Sequence, residues 1–364
     1  MKRTMKAAVL YEYQQPLVIE EVTLDPPKQG EVIIRMVASG ICHSDVNVVN
    51  GDEIAPQLPI ILGHEAAGIV EEVGQGVTAI KPGDRVAAGL WRSCGHCYFC
   101  TSGFPNECET PHVLDSETRA HNQKGEPVKL GMRVASWAEY AVVDQSQIVH
   151  VPDDVPLETA ALVGCGVITG VGAVTNTAQV EPGSSMVVIG LGGVGINAVQ
   201  AGRLAGARHV VAVDLLDEKL EQAQAFGATH LIDASKEDAV NIVRDLTDGR
   251  GADYVFVTVG NAKAISQSFE MIRKRGTSIL IGLLPHGETA ALPVTQIALT
   301  EKRVIGSFLG STRLNVMFPQ LIDLYRQKRL KLDELVTATF PLEKINEAIQ
   351  IVESGKAVRN VIVF

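Results

Sequence analysis

The first part of the chain, about 160 residues long, alternates between short apolar runs and clusters of turn-forming residues. The apolar runs are rich in β-branched side chains and include Glu31–Ala38, Gly68–Val73 and Arg85–Leu90. Turn signals such as Asn50-Gly51-Asp52 and Pro82-Gly83-Asp84 separate these runs. Short strands divided by proline and glycine turns are typical of a β-rich domain of barrel or sandwich type. We therefore predict such a domain at the start of the chain.

A different pattern begins at Ser185, where apolar strands alternate with amphipathic helices. Strands are predicted at Ser185–Gly190, His209–Asp214, His230–Asp233, Asp253–Val259, Thr277–Leu283 and Arg303–Leu309. The helices between them are predicted at Val194–Leu204, Glu218–Phe226, Glu237–Thr247 and Ala262–Arg275. Nearly continuous apolar strands joined by helices are typical of a parallel sheet that is covered on both faces. The overall fold class is therefore predicted to be α/β.

Two other stretches are less regular. Glu109–Gly131 is polar and is predicted to be a surface loop. The C-terminal residues return to a mixed pattern, with helices predicted at Asn315–Gln327 and Leu342–Ser354 and a final strand at Arg359–Phe364. In its pattern of apolar and polar residues, the C-terminal end is thus more similar to the β-rich part than to the alternating part.

Composition narrows the class of protein. A length of 364 residues suggests two domains, and 46% hydrophobic residues allow a large core. There is no uniformly apolar run of about 18 residues, and the apolar stretch Ala7–Leu10 is too short for a secretion signal. The net charge of −10 is not offset by a basic stripe, which argues against a nucleic-acid partner. We expect a cytoplasmic protein with no membrane and no nucleic-acid partner.

Four of the six cysteines form one closely spaced cluster. Cys94, Cys97, Cys100 and Cys108 follow a C-x2-C-x2-C-x7-C pattern. In a reducing compartment such thiols bind metal more often than they form disulfides. Four thiolates leave no open coordination position, so the cluster is predicted to be a structural zinc site. Reduced surface thiols and a zinc-ribbon nucleic-acid module are the alternatives, and the second lacks basic support nearby.

The other two cysteines, Cys42 and Cys165, lie far apart in the sequence. Together with His64 they form a three-ligand set that leaves a fourth position for water or substrate, which is typical of catalytic zinc. Each residue alone is more often a buried core residue, so the hypothesis depends on the set. The nearby side chains expected to support this site are the carboxylates of Asp45 and Glu65 and the hydroxyl of Ser44.

A dinucleotide-binding pattern lies between the first predicted strand and helix of the alternating part. It is the G-x-G-x-x-G run formed by Gly190, Leu191, Gly192, Gly193, Val194 and Gly195. Glycines at this point let the backbone approach a pyrophosphate at the helix N-terminus. Asp214, at the end of the next strand, would bind the adenosine ribose and repel a 2′-phosphate, which favours NAD over NADP. Lys219 either faces the same ribose or is a solvated helix lysine. A glycine turn without ligand is the alternative for the run itself.

These motifs together resemble those of the zinc-dependent alcohol dehydrogenases of the medium-chain dehydrogenase/reductase superfamily. The similarity spans essentially the whole chain and is carried by the cysteine cluster, the glycine run with Asp214, and the segments Gly40–Asp45, Gly63–Gly74 and Gly164–Gly170. It implies a Rossmann coenzyme domain at 166–308 and a β-rich GroES-like catalytic domain formed by both chain ends, 1–165 and 309–364. A structural zinc lobe is expected at about 91–112 within the catalytic domain.

The resemblance also implies roles for individual residues. It assigns Cys42, His64 and Cys165 as catalytic zinc ligands, with Asp45 as the residue that orients the histidine and Glu65 as a glutamate that can swing toward the metal. It assigns Ser44 as the hydroxyl that binds the substrate oxygen. The implied coenzyme contacts are Thr169 and Val194 on the nicotinamide and Arg359 on the phosphates. Two zinc ions per chain and NAD are the cofactors that follow from this assignment.

Two positions depart from the family pattern. His43 stands where many members carry an arginine on the pyrophosphate. Asn47 stands where well-known members carry the histidine that ends a proton relay, and an asparagine side chain takes up no proton. The route of the proton therefore falls to water or to His43.

The implied function is zinc-dependent oxidation of an alcohol to an aldehyde or ketone, and the reverse, with hydride transfer to NAD. Within enzymes, the alternative is a superfamily reductase acting on a conjugated C=C or an imine. An alternative of another class is a catalytically silent NAD-binding protein with a structural or regulatory role. The physiological substrate, direction and stereospecificity do not follow from the sequence.

The substrate class and the oligomeric state are predicted from a few residues and from the length of one segment. Leu90, Trp91, Leu283 and Phe308 lie where the family lines its substrate channel, although each is more often a core residue. If they line it, an apolar alcohol or aldehyde of moderate size is the expected substrate. The long segment between Cys108 and Trp137 is similar to that of the dimeric branch. A homodimer is therefore expected in preference to a tetramer.

Overall fold

The computed structural model describes residues 2–52 and 57–364. The strands are β1 (Arg3–Leu10), β2 (Val18–Leu24), β3 (Glu31–Gly40), β4 (Ile60–Ile61), β5 (Glu65–Val73), β6 (Arg85–Ala88), β7 (Ala120–His121), β8 (Pro127–Leu130), β9 (Tyr140–Asp144), β10 (Ile148–His150), β11 (Ser185–Ile189), β12 (His209–Asp214), β13 (His230–Asp233), β14 (Ala252–Val257), β15 (Ile272–Leu280), β16 (Arg303–Gly306), β17 (Val336–Pro341) and β18 (Arg359–Val363). The α-helices are α1 (His43–Asn50), α2 (Tyr98–Thr101), α3 (Val113–Ser116), α4 (Leu157–Leu162), α5 (Ile168–Gly172), α6 (Gly193–Leu204), α7 (Asp217–Ala225), α8 (Ala239–Leu246), α9 (Ala262–Met271), α10 (Val294–Thr300), α11 (Leu314–Arg326) and α12 (Ile345–Glu353).

The chain divides into two compact units. The first comprises Met1–Cys165, Arg313–Lys328 and Leu332–Phe364, so both chain ends contribute to it. The second comprises Gly166–Thr312 together with the short segment Arg329–Lys331.

The first unit contains a closed barrel and a larger sheet. The barrel follows the order β1-β2-β7-β8-β4, and the sheet follows the order β10-β6-β5-β3-β18-β17, with β9 also paired to β3. The C-terminal strand β18 pairs antiparallel with β3, and Val361 lies opposite Gly40. This register brings the last residues of the chain beside the end of β3, which Cys42 follows by two residues.

Two apolar clusters hold the first unit together. Leu10, Ile33, Ile61 and Trp137 are fully buried in one cluster, with Ile362 of the C-terminal strand packed among them. Val32, Ile34 and Val86 belong to the other, on the opposite face of β3. Successive side chains of a strand point to opposite faces, so the uniformly apolar part of β3 fills both clusters at once.

The prediction of a surface loop at Glu109–Gly131 is wrong in part. This segment contains α3 and the short strands β7 and β8, which belong to the closed barrel. The segment is polar in part because it contributes to a buried ion pair. Arg119 is almost fully buried, and its Nε and Nη2 atoms donate to Glu31 over 3.0 and 2.6 Å. A bidentate pair of this kind satisfies both charges without water, which allows a polar segment to lie in the interior.

The second unit has the predicted parallel sheet. Its strands follow the order β13-β12-β11-β14-β15-β16, and each neighbouring pair is parallel. The apolar residues that alternate along these strands pack against helices in a core that includes Val187, Val211, Val255 and Phe269.

Several element boundaries in the second unit differ from the prediction, and the largest difference lies where α9 meets β15. The helix predicted to reach Arg275 ends at Met271, and β15 begins at once with Ile272. Arg273, Lys274 and Arg275 are good helix formers, which is why the sequence pattern favoured a longer helix. In the fold, pairing with β14 overrides that preference, with a shift of register between Ala252 and Tyr254.

One helical run, Leu157–Thr177, is long and apolar enough to cross a membrane by length and composition. However, 94% of its most apolar stretch is buried inside the protein, as in the core helix of a globular domain. The run includes two π-helical turns, Val163–Val167 and Ala173–Thr177.

Candidate functional site

Three distant segments of the first unit deliver Cys42, His64 and Cys165 to one place. Cys42 caps the start of α1 directly after β3, and His64 directly precedes β5. Cys165 lies in the π-helical turn Val163–Val167, an irregularity that is frequent at functional sites. The three side chains are buried, and their ligand atoms lie within 4.8 Å of one another.

The distances between these atoms fit a zinc ion. Tetrahedral zinc with bonds of about 2.3 Å to sulfur and about 2.0 Å to nitrogen places two sulfurs about 3.8 Å apart and a sulfur and a nitrogen about 3.5 Å apart. The Sγ atoms of Cys42 and Cys165 are 4.0 Å apart, and Nε2 of His64 lies 3.2 Å from Sγ of Cys165. Two sulfurs and one imidazole leave a fourth position open, as in catalytic zinc sites.

A buried carboxylate fixes the imidazole. Oδ2 of Asp45 lies 2.9 Å from Nδ1 of His64, and both side chains are fully buried. Oδ1 of Asp45 accepts the N–H of Gly63 over 2.9 Å, so the carboxylate is itself held in place. With the carboxylate of Asp45 beside Nδ1, the imidazole presents Nε2 to the cluster, which is the arrangement that a metal-binding histidine needs.

Gly63 is required beside this histidine. Its φ of +93° lies in the left-handed region that favours glycine. A Cβ atom at this position would also lie 2.5 Å from the Cδ1 atom of the buried Trp137 ring. The glycine therefore allows the backbone to pass the indole and bring His64 into the cluster.

A buried arginine lies on the other side of the cluster. Nη2 of Arg359 is 3.1 Å from Oε1 of Glu65 and 3.7 Å from Sγ of Cys42. Burial lowers the pKa of this guanidinium, but the carboxylate of Glu65 and the two thiols raise it by more, so the net shift is upward. These contacts place the Arg359 side chain beside the metal ligands, and its contact with coenzyme phosphates stays a prediction.

The ligands perturb one another when no metal is bound. The hydrogen bond between the two thiols lowers the pKa of Cys42 and raises that of Cys165. Burial lowers the pKa of His64, but Asp45 and Cys42 together raise it well above its ordinary value. Cysteine binds metal as the thiolate and histidine as the neutral imidazole, so metal binding releases protons and weakens as the pH falls.

The remaining residues predicted for this site lie at the start of α1. Oγ of Ser44 is 3.9 Å from Sγ of Cys42, at a half-buried position. The side chain of His43 is exposed, and Asn47 is half-buried. The main-chain carbonyl of Asn47 accepts the N–H groups of Gly51 and Asp52 at the end of the helix.

The four-cysteine cluster is less buried than the first site. Cys94, Cys97, Cys100 and Cys108 are all partly exposed, and their Sγ atoms lie within 4.8 Å of one another. The distance between Cys94 and Cys100 is 4.0 Å and that between Cys97 and Cys108 is 3.9 Å. These distances are close to the roughly 3.8 Å expected around tetrahedral zinc. Nδ1 of His96 pairs with the carbonyl of Cys94 instead of joining the cluster.

Hydrogen bonds to sulfur distinguish the four cysteines. Sγ of Cys94 accepts the hydroxyl of Thr110 over 3.1 Å and the N–H groups of His96 and Cys97 over 3.4 and 3.2 Å. These bonds, that of Thr110 first, lower the pKa of Cys94 to about 5 when no metal is bound. Burial has the opposite effect on Cys100 and raises its pKa to about 12.

The glycine run lies where the sequence predicted it, in the second unit between β11 and α6. A Cβ atom on Gly195 would lie 1.8 Å from the carbonyl oxygen of Gly190, so only glycine permits this turn. Asp214, at the end of β12, accepts the N–H groups of Leu191 and Leu215, each over 2.7 Å. The carboxylate is therefore anchored directly to the glycine run.

Three further residues predicted to bind coenzyme belong to helices of the second unit. Thr169 is buried in α5, and its Oγ1 has no hydrogen-bond partner among the described residues. Val194 in α6 and Lys219 in α7 are half-buried. An unpartnered buried hydroxyl is uncommon in proteins, which is consistent with a missing ligand atom near Thr169.

The predicted substrate-pocket residues have different environments. Trp91 is buried, and Leu90 is partly buried against the cluster that contains Val86. Leu283 and Phe308, in the second unit, are exposed by 60% and 51%. Contact of these four residues with a substrate stays a prediction.

Sequence reasoning missed two residues beside the metal sites. Thr110 follows the last cysteine of the cluster by two positions, and its hydroxyl had no pattern to single it out. Arg92, two positions before Cys94, is buried, and its Nε donates to Gln147 over 2.9 Å and its Nη1 to Asp115 over 2.7 Å. In the sequence, the signal for Arg92 is its position two residues before the first cysteine of the cluster.

Comparison with known proteins agrees with this geometry. Residues 28–153 match the family described as alcohol dehydrogenase GroES-like domain, and residues 193–327 match that described as zinc-binding dehydrogenase. The chain is 40% identical to the NDMA-dependent alcohol dehydrogenase of Amycolatopsis methanolica over 98% of each chain. It belongs to the zinc-dependent alcohol dehydrogenases of the medium-chain dehydrogenase/reductase superfamily.

Solved structures of other members have the same fold. An alcohol dehydrogenase zinc-binding domain protein from Burkholderia ambifaria matches all of both chains with a TM-score of 0.94 and 34% identity. Benzyl alcohol dehydrogenase from Acinetobacter calcoaceticus matches with a TM-score of 0.92 and 30% identity, over 100% of this chain and 99% of its own. The predicted fold class, with a GroES-like domain and a Rossmann domain, is confirmed, as is alcohol oxidation as the family activity.

We expect the variant Asp45→Asn of this alcohol dehydrogenase to hold the zinc at Cys42, His64 and Cys165 about 10–100-fold less tightly, because a neutral amide orients the imidazole less firmly than a carboxylate. Zinc content measured against rising chelator concentration checks this. The exposed Asp52→Asn is the matched control. Equal retention by Asp45→Asn and the unmodified enzyme would contradict the role given to Asp45.

In the metal-free enzyme at pH 7, iodoacetamide should modify Cys94 first and Cys100 last. With a pKa of about 5, Cys94 is a thiolate at pH 7, and its reactivity should decline only as the pH falls toward 5. Cys100, with a pKa of about 12, stays a thiol. Peptide mass spectrometry gives the order, and Thr110→Val should slow the reaction of Cys94 alone. Faster modification of Cys100 would refute this account of the cluster.

Proposed function

We propose that this alcohol dehydrogenase oxidises an apolar alcohol of moderate size to its aldehyde or ketone with NAD as hydride acceptor and two zinc ions per chain. The observation that carries the proposal is that the ligand atoms of Cys42, His64 and Cys165 lie close together in a buried position. Asp45 lies beside Nδ1 of the imidazole. A zinc ion bound there would supply Lewis acidity, which lowers the pKa of a hydroxyl and polarises a carbonyl.

The protein's own residues then prepare this site for an alcohol. Asp45 keeps His64 in the tautomer that exposes Nε2. Arg359 holds Glu65 by an ion pair and adds positive charge near Sγ of Cys42, which offsets part of the charge of two thiolates. Burial of all these groups excludes water from the cluster, so their electrostatic effect on a bound substrate is strong.

Ser44 is the residue proposed to take the proton of the alcohol. Its Oγ lies 3.9 Å from Sγ of Cys42 at a half-buried position, so a hydroxyl bound next to that sulfur is within its reach. Asn47 cannot take the proton further, because an amide has no titratable group. The exposed imidazole of His43, adjacent to Ser44, is the proposed alternative, and water is the other.

Support for NAD comes from the turn that follows β11. Asp214 presents a carboxylate that is already fixed by the N–H of Leu191, within the glycine run. A fixed negative charge at this point repels a 2′-phosphate and binds a ribose diol. Lys219 is proposed to face the same ribose, and Thr169 and Val194 to contact the nicotinamide.

The name of one relative raises a second possibility for the electron acceptor. The enzyme of Amycolatopsis methanolica is described as NDMA-dependent, and it is 40% identical to this chain over nearly its whole length. Activity of the present enzyme is therefore to be measured both with NAD alone and with NDMA added.

Homodimers are proposed on the basis of an exposed edge. The strand β16 is at one edge of the parallel sheet of the second unit, and α10, which precedes it, has no buried residue. Val294 and Leu299 of α10 are exposed by 74% and 79%. An open sheet edge flanked by apolar side chains is suited to pairing with a second copy about a twofold axis. We propose a cytoplasmic location on the basis of the free cysteines.

We expect the purified enzyme to form NADH from apolar alcohols, with benzyl alcohol included because a structural relative acts on it by name. NADP should support much less activity. Cys42→Ala should lower kcat at least about a thousandfold, because several kcal/mol of charge stabilisation depend on the metal. Absorbance at the NADH band and zinc content are measured together.

Cys100→Ala is the matched control for this substitution. It removes a ligand of the partly exposed cluster, so it should lower the melting temperature while the zinc at Cys42 is kept. An active Cys42→Ala enzyme that retains both zinc ions would refute the proposed function. Reduction of a conjugated C=C or an imine without alcohol oxidation would establish the reductase instead.

Sedimentation equilibrium should give twice the mass of one chain, and Leu299→Glu should give the mass of a single chain. A charge at an apolar contact is unfavourable when the contact is desolvated. Val316→Glu, at a site that is 46% exposed in the first unit, is the control and should leave the mass unchanged. A monomeric unmodified enzyme, or a dimer that survives Leu299→Glu, counts against this interface.

A further inference from the structure

A polar cavity lies in the second unit, away from the glycine run. Its volume is about 310 Å³, at the lower end of the range for small-molecule sites. It is lined by residues at the amino ends of β11, β12 and β14, together with the loop that follows α8. The glycine run follows the carboxyl end of β11, so the cavity is at the opposite edge of the sheet. Coenzymes bind at carboxyl ends in such sheets, and this cavity is therefore not part of that site.

The lining is rich in positive charge. It includes the guanidinium groups of Arg208, Arg250 and Arg273 against the carboxylates of Asp248 and Asp253, an excess of one positive charge before any contribution from histidine. The whole chain has a net charge of −10, so the small positive excess of the lining is a local feature. Arginine is the side chain best suited to bind phosphate, because its planar fork of N–H groups matches two phosphate oxygens.

The carboxylates of the lining are already engaged. Oδ2 of Asp253 accepts both the N–H and the hydroxyl of Ser185, each over 2.7 Å, and Oδ1 accepts Nε of Arg273 over 2.6 Å. Asp248 accepts Nη2 of Arg250 over 2.9 Å. These contacts satisfy the negative charges within the protein and hold two of the arginines in place.

Two groups of the lining, the exposed Arg208 and the half-buried His209, have side-chain donors without an acceptor among the described residues. The guanidinium of Arg208 makes no hydrogen bond or ion pair with any described residue. Nδ1 of His209 is buried and has no hydrogen-bond partner within 2–52 and 57–364. The ring of His230 is 5.2 Å from that of His209. Burial, together with His230 and Arg208, lowers the pKa of His209, and a bound anion would reverse part of that effect.

We propose that this cavity binds a phosphate group, either as inorganic phosphate or as part of a small phosphomonoester. Arg208 would bind the phosphate oxygens directly, with His209 as a second donor. Arg250 would contribute through its unpaired N–H groups while it stays bound to Asp248. Such a site would make the enzyme responsive to an anion that is neither its alcohol substrate nor its coenzyme.

Isothermal titration of the intact enzyme with inorganic phosphate, in the presence of saturating NADH, tests the proposal. We expect saturable binding that Arg208→Gln weakens about tenfold or more, as the loss of a charge-assisted hydrogen bond requires. Lys274→Gln removes one positive charge from an exposed position close in sequence to Arg273 but outside the lining, and should leave binding unchanged. Arg208 is exposed and pairs with no other side chain in the described part of the chain, so its replacement should not alter the melting temperature in the absence of phosphate.

Glycerol phosphate in place of inorganic phosphate distinguishes the two sources of the group. Tighter binding of the ester that also depends on Arg208 assigns the site to phosphomonoesters, and weaker binding assigns it to free phosphate. The proposal is overturned if no saturable binding occurs at millimolar phosphate, or if Lys274→Gln and Arg208→Gln weaken binding equally. It is also overturned if binding seen without NADH disappears when NADH is added, because the anion then occupies the coenzyme site.

Discussion

The burial of several ionisable groups in one small volume is the constraint on which the rest of this structure depends. Cys42, Cys165 and Glu65 are removed from water, and His64 and Arg359 offer positive charge beside them. Isolated buried anions are strongly unfavourable, so a set of thiolates here needs a cation among the sulfurs. A zinc ion bound to Cys42, His64 and Cys165 would supply that charge, and these three groups would then form a polar cluster inside an apolar domain.

Pairing between distant strands brings these groups together. The turn after β3 carries Cys42, the turn before β5 carries His64, and the C-terminal strand β18 pairs with β3 so that Arg359 joins them from the far end of the chain. The pairing of β3 with β5, in which Gly40 lies opposite Glu65, brings Cys42 and His64 together. A change that loosens the pairing of β18 with β3 would therefore act on the metal site even though no ligand is touched.

The four-cysteine cluster and the glycine run could be predicted from local spacing, whereas the set of Cys42, His64 and Cys165 depended on residue type and on the resemblance of the whole chain to a family. The parallel sheet was predictable from a local pattern, since apolar strands and helices alternate visibly from Ser185 onward. By contrast, the ordered strands β7 and β8 were not, because they depend on a buried pair between Arg119 and Glu31 that are 88 residues apart. Neither was the contact of Arg359 with Cys42, which joins residues 317 positions apart. Side-chain environments that depend on such distant partners leave no local pattern.

Anomalous scattering recorded on both sides of the zinc absorption edge, from crystals of the enzyme as purified, tests the central claim most directly. The account predicts a zinc peak about 2.0–2.3 Å from Nε2 of His64 and from Sγ of Cys42 and Cys165, and a second peak among Cys94, Cys97, Cys100 and Cys108. A peak in the four-cysteine cluster alone, with Cys42 and Cys165 joined by a disulfide or separated, would contradict it.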